Sequence, residues 1–219
     1  AFRVHQFFSR GDTVYASLED PDERYLTLRG QHFVPGHRDR LLLPLVFCRE
    51  CGQEYYCVRQ RHDKTSGSRS YEGRELSDRL SDEETEAGFL YFSTEAPWPT
   101  DPDEIRQSVP EDWLEEKRGQ FQIRSAKKKD LPQPVRVRLD GTAGDSGLAG
   151  HFLPAPFRFC LNCGVAYGAR QTTDFAKLGA LGSEGRSTAT TILSLAAIRH
   201  LKQESLPEIA RKLLSFTDN

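Results

Sequence analysis

Phe47-Cys48-Arg49-Glu50-Cys51-Gly52 and Phe159-Cys160-Leu161-Asn162-Cys163-Gly164 repeat one another: an aromatic residue, a Cys-x-x-Cys and a glycine. Each is followed by an aromatic-containing, strand-like run, Gln53 to Val58 and Val165 to Tyr167. In such a turn two thiolates converge on one ion, and the glycine behind the second cysteine permits positive φ, so backbone N–H groups can face the sulfurs. Two turns supply the four soft ligands that tetrahedral zinc prefers. Cys160 follows Cys51 by 109 positions, far more than in a compact zinc ribbon. The expected site therefore clamps two distant parts of the chain. With Cys48, Cys51, Cys160 and Cys163 as ligands, all four positions of a Zn2+ ion are filled, which makes the zinc structural rather than catalytic. Redox-active pairs are the alternative, but these usually open a helix near a βαβ pattern, whereas both pairs here lie between aromatic strands.

The 219 residues suffice for one substantial core or two small ones. An apolar content of 37% and a charged content of 28% describe a chain with well-solvated loops. The formal charge of −2 supplies no global field toward nucleic acid or membrane, so such contacts would need local patches. No apolar run approaches bilayer length and no signal-peptide pattern opens the chain, so a cytoplasmic location without membrane contact is expected. Four of the five cysteines are paired, which fits metal binding in a reducing compartment better than a disulfide framework. Cys57, in Tyr55-Tyr56-Cys57-Val58, reads as a small buried hydrophobe. The start at Ala1 and the lack of any methionine suggest a segment of a longer protein.

Taken in order, residues 1–46 read as a β-meander leading to the first knuckle. Its strands are expected at Phe2–Phe8, Thr13–Leu18 and Arg24–Arg29, with a loop over Gly30–Arg40. Leu41–Phe47 is a buried segment whose Pro44 suggests an edge position. Residues 47–168 form the zinc-binding domain with its long insertion. Within it, about 60–88 is polar enough to predict a mobile loop, ending in the acidic run Asp82–Glu86. Phe89–Phe92 is a strand, Glu95–Pro102 a loop, and Pro110–Lys117 a short helix with Ser108 as a possible cap. Phe121–Arg124 and Val135–Leu139 alternate as strands, and Gly141–Gly150 reads as loop. Residues 169–219 comprise a linker, a helix over Ser187–Leu201 capped by Ser183 or Ser187, and a final apolar strand. The fold class is α+β and β-rich.

Arg59, Arg61, Lys64 and Arg69 after the first knuckle, and Arg124, Lys127, Lys128, Lys129, Arg136 and Arg138 in the insertion, are candidates for phosphate contacts. A solvated cationic face is the plainer reading of the same residues. Tyr55 and Tyr56 have the chemistry to stack on bases, but one of two adjacent strand residues must face inward. The six histidines, at 5, 32, 37, 62, 151 and 200, show no metal or nucleophile spacing. No Gly-x-x-x-x-Gly-Lys-Ser/Thr loop is present, so the chain by itself is not expected to hydrolyse ATP. A stand-alone enzyme has neither a nucleophile motif nor an open metal position behind it.

The stretch Phe2–Ala16, the knuckle Phe47–Gly52, the run Leu181–Thr191 and the final Lys212–Asn219 resemble large bacterial superfamily-2 DEAD/DEAH-box helicases, closest to the MrfA-like and phage-defence-associated group. The resemblance covers both ends and both knuckles. It implies a zinc-ribbon-like inter-lobe segment, followed by the first strand of the second RecA-like α/β lobe. Ser215, Phe216, Thr217, Asp218 and Asn219 would belong to its motif IV. It further implies an accessory domain of an ATP-dependent DNA helicase or translocase in genome maintenance or anti-phage defence. DNA and the rest of the helicase chain would be its partners. ATP and Mg2+ would belong to the parent protein, because the Walker A loop, the DEAD/DEAH box and the motif VI arginine have no counterpart here. The alternative is a zinc-stabilised protein–protein docking module of a defence or repair complex, supported by the acidic run and the near-zero net charge.

Overall fold

Residues 13–78, 84–168, 170, 171, 173–180, 186–203 and 207 are described by a computed structural model, residues 186–190 through their backbone alone. The expected strand at Phe2–Phe8, the acidic residues Asp82 and Glu83, the cap Ser183 and the whole run Lys212–Asn219 lie outside the described residues.

Twelve strands are described: β1 (Tyr15–Ser17), β2 (Leu26–Thr27), β3 (Phe33–Val34), β4 (His37–Cys48), β5 (Glu54–His62), β6 (Arg69–Gly73), β7 (Thr85–Tyr91), β8 (Leu114–Lys117), β9 (Gln120–Ile123), β10 (Gln133–Val137), β11 (Leu148–Pro154) and β12 (Leu178–Gly179). Ten form one antiparallel sheet ordered β10-β11-β7-β5-β4-β1-β2, with β3 and β12 on β4 and β6 on β5; β8 and β9 make a separate hairpin. Two helices, α1 (Pro102–Ser108) and α2 (Arg186–Gln203), complete a β-rich architecture. No helix among the described residues is long and apolar enough to cross a membrane.

The centre of the sheet is buried on both faces, which is why β4 reads as a continuous apolar run instead of alternating. Side chains of successive residues go to opposite faces. Tyr55, Cys57, Phe89 and Tyr91 join one core with Val46 and Cys48. Tyr56, Val58 and Leu90 join the other with Leu43 and Leu45. Each such large apolar side chain contributes about 1.5–3 kcal/mol on full burial. Cys57 is fully buried, as expected, and burial pushes its thiol up to about 12.

Several sequence expectations are corrected. β4 is an interior strand despite Pro44, because its partners change there: Leu45–Phe47 pair with β5, while Leu42–Pro44 pair with β1. A proline without an N–H is tolerated where the ladder on the β5 side stops. Gly30–Arg40 is not all loop, since it holds β3 and the start of β4. The boundary at 46/47 falls inside β4, so the meander and the insertion share one sheet. Residues 60–88 are not loop throughout: Arg69–Gly73 pairs with Val58–His62, and β7 begins at Thr85. Alternation there is masked by charge, because β6 buries only Tyr71. The helix expected over Pro110–Lys117 is reduced to the 3₁₀ turn Glu111–Trp113, and a separate helix, α1, lies ahead of it, beginning where the expected loop ends, capped by Asp101 through the N–H groups of Asp103 and Glu104. Ser108 is its last residue, and Leu114–Lys117 is strand β8. β11 begins at Leu148, within the expected loop. α2 matches the expected helix, but Ser187 lies inside it and is not its cap.

Candidate metal centre

The two knuckles have one backbone design. In the first, the Gly52 N–H donates to the Cys48 carbonyl at 2.8 Å and the Cys48 N–H to the Gln53 carbonyl at 2.8 Å. In the second, the Gly164 N–H donates to the Cys160 carbonyl and the Cys160 N–H to the Val165 carbonyl, both at 2.9 Å. The glycines have φ of 74° and 73°, the left-handed region that a side chain would strain.

These turns bring the sulfurs of Cys48, Cys51, Cys160 and Cys163 within 4.8 Å of one another. Cys48 Sγ lies 3.9 Å from Cys163 Sγ, and Cys51 Sγ lies 3.7 Å from Cys160 Sγ. Sulfurs arranged tetrahedrally ~2.3 Å from a central ion are about 3.8 Å apart. The cluster thus has the dimensions of a four-thiolate metal site. Hydrogen bonds from the Cys160 and Cys48 thiols hold the Cys51 thiol far below its ordinary range, while those to Cys160 and Cys51 push Cys48 up. Four thiolates this close need a cation among them to ionise together.

Cys48 and Cys160 are buried, Cys51 is half-buried and Cys163 is exposed. The buried side is built from the sheet. Tyr55 Oη accepts a 2.9 Å hydrogen bond from the Leu161 N–H and lies 3.2 Å from Cys160 Sγ, positioned to donate to it. Burial raises the Tyr55 pKa well above its ordinary value, so it remains a phenol and keeps that proton. On the open side Asn162 Nδ2 lies 3.6 Å from Cys51 Sγ. Phe159 packs on Trp98 and Trp113 at ring separations of 5.5 and 5.1 Å, which seats the second knuckle in the core.

β11 does not run into the second knuckle. The chain instead doubles back over the sheet, with Phe157 packed on Phe89 at 5.6 Å and on Tyr55 at 5.1 Å. The expected linker then supplies what holds this path. Asp174 and Lys177 are 0% and 1% exposed and lie 3.4 Å apart. Asp174 Oδ1 accepts from the Phe157 N–H at 2.8 Å, and Lys177 Nζ donates to the Phe157 carbonyl at 2.6 Å. Immediately afterwards Leu178 and Gly179 pair with Cys48 and Phe47. One short segment therefore ties the two knuckles together. Nothing in Asp174-Phe175-Ala176-Lys177 distinguishes it in sequence from a solvated turn. From α2, Arg199 Nη2 reaches the Cys51 carbonyl at 3.4 Å.

The basic candidates are distributed over separate elements. Arg59 pairs with Asp78, Arg61 with Glu72 at 3.4 Å and Lys64 with Glu84 at 3.9 Å. Arg124 Nε donates to the Leu114 carbonyl, and Lys127 lies over the Trp113 ring; Lys128 and Lys129 share the exposed 3₁₀ turn Ser125–Asp130. Arg138 holds its own loop through Ser146 and Thr142, and Arg136 reaches the Gly147 carbonyl at 3.5 Å. Tyr55 and Tyr56 are both buried, on opposite faces, so neither presents a ring for stacking. No protein-family model, curated protein or solved structure matches the chain.

Proposed function

We propose that this chain is a zinc-stapled accessory domain, in which Cys48, Cys51, Cys160 and Cys163 hold one Zn2+ that closes the root of a long β-insertion. The observation that carries this reading is the convergence of four sulfurs, at the spacing of a thiolate tetrahedron, from two places far apart in the chain. The ion's role is architectural: its binding free energy, on the order of 10 kcal/mol or more for structural sites, becomes folding free energy of the domain. The local turns are those of a zinc ribbon, carried on a much larger sheet.

In the fuller reading, the domain links the motor lobes of a cytoplasmic, ATP-dependent DNA helicase or translocase and helps position the nucleic acid. Its support is the sequence resemblance at both ends. ATP and Mg2+ act in the parent motor, not here. The helix that touches the first knuckle through Arg199 precedes the motor-lobe-like run Lys212–Asn219 in the chain. A docking module is the second reading, favoured by the exposed Tyr25, Leu26 and Leu28 on and beside the terminal strand β2. Binding to single-stranded and duplex DNA at two salt concentrations separates the two. A phosphate-tracking surface weakens steeply with salt. Salt-resistant capture of a protein partner, with no DNA binding, supports docking instead.

A further inference from the structure

We infer that the groove between α1 and the β8–β9 hairpin docks a short peptide segment of a partner protein, one that carries an aromatic or aliphatic anchor beside lysine or arginine. The inference deepens the docking reading and rests on it, not on the nucleic-acid reading. The groove measures about 520 Å3 and is lined by Asp103 and Arg106 of α1, by Val109 and Glu111 beyond it, and by Leu114 and Phe121 of the hairpin.

The hairpin explains the groove's apolar lip. Residues directly opposite one another in an antiparallel pair share a face, and Leu114 registers with Ile123 while Glu116 registers with Phe121, so these four side chains lie on one side of the hairpin. The first rung is seated: Leu114 and Ile123 pack against the core, as does Ile105 of α1. The second rung overhangs, which leaves Phe121 63% exposed, the highest value of any large apolar side chain among the described residues. Both walls are thus anchored while the lip stays open. A partner's apolar side chain entering the groove would remove Phe121 from water.

Charge selects the occupant. Residues 101–116 carry seven carboxylates and a single cation, Arg106, in a chain whose overall charge is only −2. Arg106 is paired with Asp103, which leaves Glu111 in the groove and Glu116 opposite Phe121 on the hairpin face. Among the described residues neither glutamate has an ion-pair partner. The neighbouring cations are placed elsewhere: Lys117 lies on the other face of the hairpin and pairs with Glu115 at 2.6 Å, Arg118 forms the turn with φ of 55°, Arg124 donates to the Leu114 carbonyl and Lys127 lies over the Trp113 ring. An apolar groove rimmed by carboxylates repels acidic segments and favours a basic residue next to the anchor.

The test is selection of random phage-displayed heptapeptides on the full chain, followed by fluorescence anisotropy of the selected peptides on the chain and on variants that melt with it. The selected peptides are expected to carry Trp, Phe or Leu next to Lys or Arg. F121A should weaken their binding roughly tenfold or more, and E111Q/E116Q about threefold to tenfold, whereas L26D, at the exposed β2 patch, should stay within about twofold of the parent. Acidic or uncharged selected peptides, or no enrichment at all, overturn the proposal. Peptides that tolerate F121A but are lost on L26D overturn the groove and leave docking at β2 standing. Self-association in sedimentation that F121A abolishes would make a second copy the occupant and overturn the peptide assignment.

Discussion

The first knuckle grows out of a ladder in which Leu45, Val46 and Phe47 register with Tyr56, Tyr55 and Glu54, inside a ten-stranded sheet. The second stands on a single bridge, Phe159 to Ala166, at the end of a segment that crosses the sheet face. Their turns are nearly superimposable in hydrogen bonding and φ, yet one is held by strand pairing and the other by side chains. The difference teaches that a Cys-x-x-Cys-Gly sequence encodes its own turn, whereas bringing two such turns together is the work of distant residues. Tyr55, Asp174 and Lys177 perform that work here.

The largest effect is expected from removing a metal ligand. On the structural-zinc reading, Cys160→Ser should unfold or aggregate the domain, because the second knuckle would then keep only its side-chain contacts. A soluble, metal-free variant with unchanged melting would count against this. Next comes the buried pair. Lys177→Met leaves Asp174 charged and buried, where Oδ2 already has no hydrogen-bond partner among the described residues, and should cost about 3–5 kcal/mol in urea unfolding. Hydrogen exchange should locate the loss at residues 157–167 while the amides of β4 and β5 stay protected; uniform loss would erase the contrast between the knuckles.

Tyr55→Phe deletes one hydroxyl that serves both the Leu161 N–H and the Cys160 sulfur. A stability loss of about 1–3 kcal/mol is expected by thermal melting, with metal affinity falling roughly 10–100-fold in chelator competition. The smallest effects belong to the glycines. Gly52→Ala and Gly164→Ala should each cost about 1–2 kcal/mol, and by similar amounts, since both force a side chain into the left-handed region at nearly the same φ. A large inequality between them would show that the turns are not equivalent.

What was legible in the sequence follows the same division. The Cys-x-x-Cys turns, the glycine conformations and the burial of Cys57 could be read because each depends on a few adjacent residues. β9 and β10 were visible through alternation, and the second half of β7 through its apolar run Phe89–Tyr91. β6 was not, because a polar strand with one buried tyrosine looks like a charged loop. Pro44 misled in the opposite direction: its position is decided by where β4 exchanges partners, which depends on strands remote in sequence. The Asp174–Lys177 latch carries no local signature, since its meaning comes from Phe157. The basic residues could be counted but not sorted, because their acidic partners were identified only once strands β5, β6 and β7 had come together.

The central claim is that the four sulfurs hold one structural zinc ion, and metal analysis of the purified chain tests it most directly. The account predicts one zinc per chain by mass spectrometry. Replacing the zinc with Co2+ should give the intense charge-transfer and ligand-field bands of a tetrahedral four-thiolate site, lost together in Cys51→Ser or Cys163→Ser. A folded chain without bound metal, whose four thiols react freely with a thiol reagent at unchanged melting temperature, would contradict it.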